Sequence, residues 1–198
     1  MATRSKNGLL LPVVAIVVVS VMFGVDMVID TAIGIFGGVV GATKIIGEGD
    51  YQIMVSSGDE SKVENCTARQ VIQQKQCDDL KIVVIDAKKM SFISRGIKEA
   101  WESGLPGILT MNRAREDVNR AASCRSKRYK KNYLGTSCDE YPMAPTEQGG
   151  HNAHVEEVPK RENLCQGGTV RWQYPRDGEN FLVVISNPDN IAPGPYRG

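Results

Sequence analysis

Cysteines set the strongest constraint on how this chain can fold, because covalent cross-links fix which segments lie together. The sequence contains five of them: Cys66, Cys77, Cys124, Cys138 and Cys165. None of them forms the C-x-x-C spacing of a zinc site or redox motif. We expect Cys66 to pair with Cys77, and Cys124 with Cys138, which fits an oxidising compartment. Cys165 is then buried, free or partnered differently.

The amino terminus has the pattern of an export signal. Arg4 and Lys6 precede an uncharged, mostly apolar run at positions 8–25, which ends at Asp26. No clear small-x-small cleavage site follows Phe23, so a removed signal peptide and an uncleaved anchor both stay open. We therefore expect residues 1–30 to be a signal peptide or membrane anchor, and the protein to be secreted or membrane-anchored on the extracytoplasmic side.

The rest of the chain has room for one medium-sized domain. Most of the segment at 31–78 is polar and of mixed composition. We interpret it as a linker or stalk with short elements. The composition changes at Lys81, and we place the main domain at 79–187. Residues 188–198 are rich in proline and glycine, which predicts a flexible tail.

Apolar runs and capping signals predict the elements. We expect strands at 51–55, 81–87, 107–113, 154–159 and 180–186. We expect helices at 67–74, at 94–103 with Ser94 as the cap, at 115–131, and at 161–174 running into a turn at its glycines. Positions 137–150, SCDEYPMAPTEQGG, are predicted to be a loop because they hold two prolines and two glycines.

Charge is unevenly placed although the formal net charge is only +1. A basic run covers positions 120–131, and carboxylates lie at Asp139, Glu140 and Glu162, the last beside Asn163. Carboxylate and amide oxygens suit Mg²⁺, Mn²⁺ or Ca²⁺ better than zinc. Each feature alone is also typical of solvated surface charge. Together they are what metal-assisted phosphodiester cleavage requires.

Two longer motifs carry a resemblance to a known family. The block CDEYPMAPTEQGG at 138–150 is followed by VEEVPKRENLCQGGTV at 155–170 and by a closing strand FLVVIS. This pattern resembles the NucA/NucB family of secreted bacterial deoxyribonucleases, over roughly residues 81–186. The resemblance implies an α+β fold, namely a small ββα-metal-like nuclease domain with a short antiparallel sheet and flanking helices, preceded here by the hydrophobic signal or anchor helix.

The resemblance also implies roles for individual residues. Asp139 takes the place of the histidine general base of ββα-metal enzymes, and Glu140 orients the loop or the water shell of the metal. Asn163 holds the divalent cation, with Glu162 beside it as a direct or water-mediated ligand. We add Arg125 and Arg128 to the catalytic set and assign substrate binding to Arg120, Lys127 and Gln166.

A free aspartate has a pKa of about 4 and is a weak base. Asp139 must therefore be desolvated, or the metal must lower the pKa of the attacking water. His151 and His154 are alternative bases, although a structural or surface role is favoured for both. For Trp172 and Tyr174, we favour core packing over stacking on bases.

These observations predict a divalent-metal-dependent endodeoxyribonuclease with little sequence preference, whose cofactor is Mg²⁺ or Mn²⁺, with Ca²⁺ a third candidate. The expected partner is DNA, together with the membrane if the amino-terminal segment is uncleaved, and the resemblance leaves room for a proteinaceous inhibitor. The alternative hypothesis is a catalytically inactive, membrane-anchored module that binds nucleic acid or has a structural role on the same fold.

Overall fold

The centre of the fold is a pair of parallel strands whose middle residues are apolar and buried. A computed structural model describes residues 43–198; the predicted signal or anchor helix and the rest of 1–42 lie outside the described residues. The strands are β1 (Thr43–Glu48), β2 (Tyr51–Ser56), β3 (Gln76–Cys77), β4 (Leu80–Asp86), β5 (Ile108–Thr110), β6 (Thr136–Tyr141), β7 (His154–Pro159) and β8 (Asn180–Ser186). The α-helices are α1 (Ala68–Gln74), α2 (Ser91–Glu102), α3 (Glu116–Ala122) and α4 (Lys160–Thr169).

The main sheet has the strand order β1-β2-β8-β4-β3, with β5 also pairing with β8. Only the contact between β4 and β8 is parallel, with Val83 opposite Val183. Strands that are buried on both faces are expected to have apolar runs, as these have at 82–85 and 181–185. The large mixed sheet differs from the short antiparallel sheet predicted from the sequence, whereas the α+β class is as predicted.

Each face of the sheet has its own apolar core. On one face, Val83 and Ile85 of β4 pack with Ile97 and Trp101 of α2. On the other face, Ile82 and Val84 pack with Val71 of α1 and with other residues from 53–77. Most of these side chains are almost completely excluded from solvent. The described part of the predicted stalk, residues 43–78, is therefore integrated into the domain through β1, β2, α1 and β3.

The second, smaller sheet is the antiparallel pair of β6 and β7, and α4 follows it immediately. The segment around Asp139 and Glu140 is thus a strand and not the predicted loop. The chain turns only after it, where Gly150 has a positive φ of 104°. A Cβ atom on Gly149 would lie 2.6 Å from the Met143 carbonyl oxygen, so the close approach of two chain segments requires glycine there.

Several predicted boundaries are wrong. The helix predicted for 115–131 ends at Ala122, and the basic segment that follows is not helical. The helix predicted to start at Ser94 begins at Ser91, and Gly167 and Gly168 lie inside α4, not in a turn. The tail is partly packed, since the Ala192 N–H donates to the Ser91 carbonyl at 3.1 Å.

Both predicted disulfides are confirmed. Cys66 is bonded to Cys77, and Cys124 to Cys138. Cys165 has a free thiol and is half-buried. Within residues 43–198, none of the helices has the length and apolar character needed to cross a membrane.

Candidate active site

A β-β-α unit made of β6, β7 and α4 positions the candidate site. Pro159 ends β7 and stands at the N-cap of α4, where its missing N–H costs no helical hydrogen bond. The Nδ2 of Asn163, in the first turn of α4, donates to the Cys138 carbonyl at 2.7 Å and to the Ser137 hydroxyl at 3.0 Å. These bonds fix the helix against β6 directly beside Asp139.

A pocket of about 310 Å³ opens at this junction. Four of the predicted site residues line it, namely Asp139, Glu140, Asn163 and Gln166, and the predicted phosphate contact Arg120 does so too. These five residues come from β6, α3 and α4 and lie up to 46 positions apart in the sequence. This is the convergence that the sequence motifs predicted for Asp139 and Asn163.

Asp139 is buried, with only 8% of its surface exposed. Burial raises the pKa of its carboxyl well above the usual value, and the nearby charges of Glu140, Glu156 and Glu162 act in the same direction. A hydrogen bond from Gln166 opposes this shift only in part. Asp139 thus meets the condition of desolvation that the sequence argument set for a base at this position.

Glu140 contacts the guanidinium group of Arg120. Its Oε1 lies 3.6 Å from Nε of Arg120, whose Nη2 donates to Glu116 at 3.1 Å. Burial raises the pKa of Glu140, and the Arg120 guanidinium counteracts this. Arg120 is thus engaged by two carboxylates, which leaves less of its charge for the phosphate than its predicted role in substrate binding assumed.

The donor set fits a hard divalent cation. Because both N–H groups of the Asn163 amide face β6, its Oδ1 oxygen is left for another partner, and none of residues 43–198 donates to it. Carboxylates with raised pKa values lie in the same pocket, so a cation there would offset buried negative charge. Asn163 and Glu140 are the residues that would hold it, beside the carboxylate of Asp139.

The structure places Glu162 elsewhere, which corrects its predicted role beside the metal. Its Oε2 accepts from the backbone N–H of Phe92 at 2.9 Å and of Ile93 at 3.2 Å, and its Oε1 accepts from the Ser91 hydroxyl. Both oxygens therefore cap the amino terminus of α2, whose own N-cap, Met90, offers no side-chain acceptor.

The predicted basic contacts also lie outside the pocket. Arg125 is exposed and lies 3.8 Å from Asp117, Arg128 donates to the His151 carbonyl, and Lys127 is exposed. These three side chains point to other parts of the surface because α3 stops before them. Arg125 keeps only a long-range effect, since its charge helps to lower the pKa of Glu140.

Sequence reasoning missed three charged residues that line the pocket: Arg113, Glu116 and Arg171. Glu116 begins α3, and Arg171 lies outside the basic run at 120–131. Tyr174 packs against Phe181 with ring centroids 5.8 Å apart, as expected for core packing. For Trp172 that prediction is wrong, because the side chain is 86% exposed.

The two histidines are not among the residues that line this pocket. His151 is exposed. His154 lies on β7, with its Nε2 3.8 Å from Oε2 of Glu99, and burial lowers its pKa. This placement favours the structural or surface interpretation over a role as general base.

Comparison with known proteins agrees with the geometry. Residues 100–184 match the family model described as Deoxyribonuclease NucA/NucB. The match covers the end of α2 through most of β8, and so includes the whole β-β-α unit. No curated protein matches the chain at a significant level. The segment that builds the pocket is therefore similar to the NucA/NucB deoxyribonucleases.

Proposed function

We propose that the protein is an exported, divalent-metal-dependent endonuclease that hydrolyses DNA phosphodiester bonds with little sequence preference. One observation carries this proposal: the buried carboxylate of Asp139 lies in the same pocket as the amide of Asn163. The match to the deoxyribonuclease family model supports DNA as the substrate. Mg²⁺ or Mn²⁺ is the proposed cofactor because the available ligands are oxygen atoms.

The residues of the pocket have different roles in the proposed hydrolysis. A divalent cation, when bound, supplies electrostatic stabilisation of the phosphate oxygens. The carboxylate of Asp139 accepts the proton of the attacking water, since burial makes it basic enough to do so. Arg113 and Arg171, at the pocket wall, balance the charge of the phosphate backbone.

Low sequence preference and export have separate support. The cationic groups at the pocket suit phosphates, which carry no sequence information. The two disulfides fit an oxidising compartment, as does the apolar segment at positions 8–25. Intact mass measurement of the exported protein would decide whether that segment is cleaved or retained as an anchor.

Plasmid nicking by the full-length protein tests the proposal. Supercoiled plasmid should be converted to nicked and linear forms with Mg²⁺ or Mn²⁺, and EDTA should stop the reaction. Digestion of two plasmids of unrelated sequence should give smears without preferred fragments. If the protein binds plasmid but leaves it intact with each of these metals, the alternative of an inactive binding module is the better account.

A further inference from the structure

Trp172, a large aromatic side chain beside the pocket, is not packed into either core. Trp172 lies in a short 3-10 helix, Arg171–Gln173, directly after α4. Its indole is 86% exposed, whereas the other tryptophan, Trp101, is fully buried. The indole face is therefore accessible to a ligand at this position.

The backbone around Trp172 is held rigidly. Val170, two residues before it, is completely buried. Gln173, the next residue, exchanges two hydrogen bonds with the backbone of Val84, at 2.9 and 3.1 Å. The side chain is thus presented to solvent by anchored neighbours, and a ligand would not have to order the segment first.

The surface beside Trp172 continues into the candidate active site. Trp172 lines a shallow cleft with Arg113, Gly167, Arg171 and Tyr174, and those four residues also line the pocket that contains Asp139. A strand whose phosphate enters the pocket would therefore pass along Trp172.

The charge of this cleft suits a nucleic acid strand. Arg171 is exposed, and within residues 43–198 its guanidinium has neither an ion-pair nor a hydrogen-bond partner. Arg113 is held in place by Asp177 at 2.7 Å and by the Pro175 carbonyl at 2.9 Å. The cleft thus combines one unpaired and one fixed cation with an aromatic face.

The end of α4 beside the cleft has two positions without side chains. Gly167 and Gly168 lie in the last turns of α4, and a Cβ atom on either would meet nothing within 4 Å. Neither packing nor a positive φ requires glycine at these positions, although glycine costs a helix roughly 0.5–1 kcal/mol relative to alanine. The absence of side chains leaves the backbone open to a ligand beside Trp172.

We propose that Trp172 is a stacking platform for an unpaired base of the DNA strand whose phosphate occupies the pocket. This inference rests on the proposed nuclease function. Aromatic faces accept any base, so the platform agrees with low sequence preference and favours single-stranded or locally melted DNA.

Intrinsic fluorescence can test the platform directly, because Trp172 is the exposed tryptophan and Trp101 is buried. The full-length Asp139→Asn variant in EDTA is titrated with single-stranded oligothymidylate and with an abasic oligomer of the same length and charge. The oligothymidylate should quench the fluorescence and the abasic oligomer should not. The Trp172→Phe variant supplies the Trp101 background.

Affinity measured by anisotropy of labelled oligomers provides the second readout. Trp172→Ala should weaken binding of oligothymidylate by roughly 5- to 150-fold and leave binding of the abasic oligomer unchanged. Trp172→Phe should retain most of the affinity. Leu134→Ala, which removes another exposed apolar side chain at 96% exposure, should have no effect.

The possible failures are distinguishable. If wild-type protein cleaves plasmid but binds both oligomers equally well, or if Trp172→Ala binds oligothymidylate as tightly as wild type, the platform is refuted while the nuclease function stands. If wild-type protein neither binds nor cleaves DNA, the proposed function fails and the platform fails with it.

Discussion

At the scale of single residues, the site is defined by carboxylates that the fold buries close to one another. Asp139 on β6 is directly opposite Glu156 on β7, and residues in such a pair share one face of the sheet. Glu156 contacts the guanidinium of Arg95, yet burial outweighs that contact and raises its pKa to about 7. Buried like charges of this kind make each carboxyl harder to ionise.

Removing the charge of Glu156 should therefore change both activity and stability. Glu156→Gln relieves repulsion at Asp139, which lowers the pKa of the base and should shift the acidic limb of kcat/KM to lower pH. The pKa of Glu156 is raised in the folded state, so its protonation contributes to stability below pH 4.5. This contribution is lost as the pH rises through about 7. The variant should lose less stability over that interval, measured by thermal unfolding.

The neighbouring Glu157 offers a matched control with the opposite sign. Burial works to raise its pKa, but hydrogen bonds from Thr136, Asn132 and Tyr133 outweigh it and lower the pKa to about 2. Its contribution to stability is present above pH 4.5 and lost as the pH falls towards 2, so Glu157→Gln should be destabilising mainly at neutral pH. An unchanged acidic limb in Glu156→Gln, or the same pH profile of stability in both variants, would contradict this account.

At the scale of elements, one carboxylate joins the start of α2 to α4. Glu162→Ala removes the acceptor for two backbone N–H groups and should destabilise the protein by roughly 1–3 kcal/mol in chemical denaturation. The Mg²⁺ concentration needed for half-maximal cleavage should stay unchanged, because Glu162 faces α2.

Asn163→Ala is the comparison for that variant. It should raise the Mg²⁺ requirement, since it removes the amide oxygen that faces the pocket. If Glu162→Ala keeps full stability and instead needs more Mg²⁺, Glu162 is a metal ligand, as the family resemblance implied, and the capping role is secondary.

Apolar periodicity predicted most elements, because burial decides them locally. The strand at 180–186 and the helix at 67–74, with Thr67 as its cap, were recognisable from the sequence alone. The basic segment was mispredicted as helix because other bonds override its propensity: Ser123 and Ser126 donate to nearby backbone carbonyls, and Cys124 is bonded to Cys138.

Parts of the site depend on strand pairing and helix packing that cannot be recognised from the sequence. The DEY segment has turn-like composition, and only its pairing with β7 makes it a strand. The family pattern singled out Asp139 and Asn163, and the fold brings both to one pocket. The positions of Arg171 and Trp172 follow from where α4 ends, and the capping role of Glu162 follows from packing against α2.

At the scale of the whole molecule, the sheet separates two cores, and the amino-terminal elements cover one of them. Ile82, Val84 and Leu182 are buried there against residues that precede position 79. A fragment starting at 79 would expose this face and should aggregate or unfold, although the family match lies wholly within it.

A fragment of residues 43–198 retains both cores. It should be monodisperse by size-exclusion chromatography and unfold cooperatively, whereas residues 79–198 should do neither. A folded, active 79–198 fragment would show that β1, β2 and α1 are a separable appendage, as the sequence composition predicted.

The central claim is that Asp139 is the general base of a DNA-cleaving site, and a comparison of cleavage with binding for one variant tests it most directly. Full-length Asp139→Asn should cleave plasmid about 100- to 10,000-fold more slowly with Mg²⁺ or Mn²⁺ while binding DNA as tightly as wild type. Asp79→Asn, which makes the same change at an exposed aspartate, should cleave normally. Cleavage by Asp139→Asn at the wild-type rate would contradict the account.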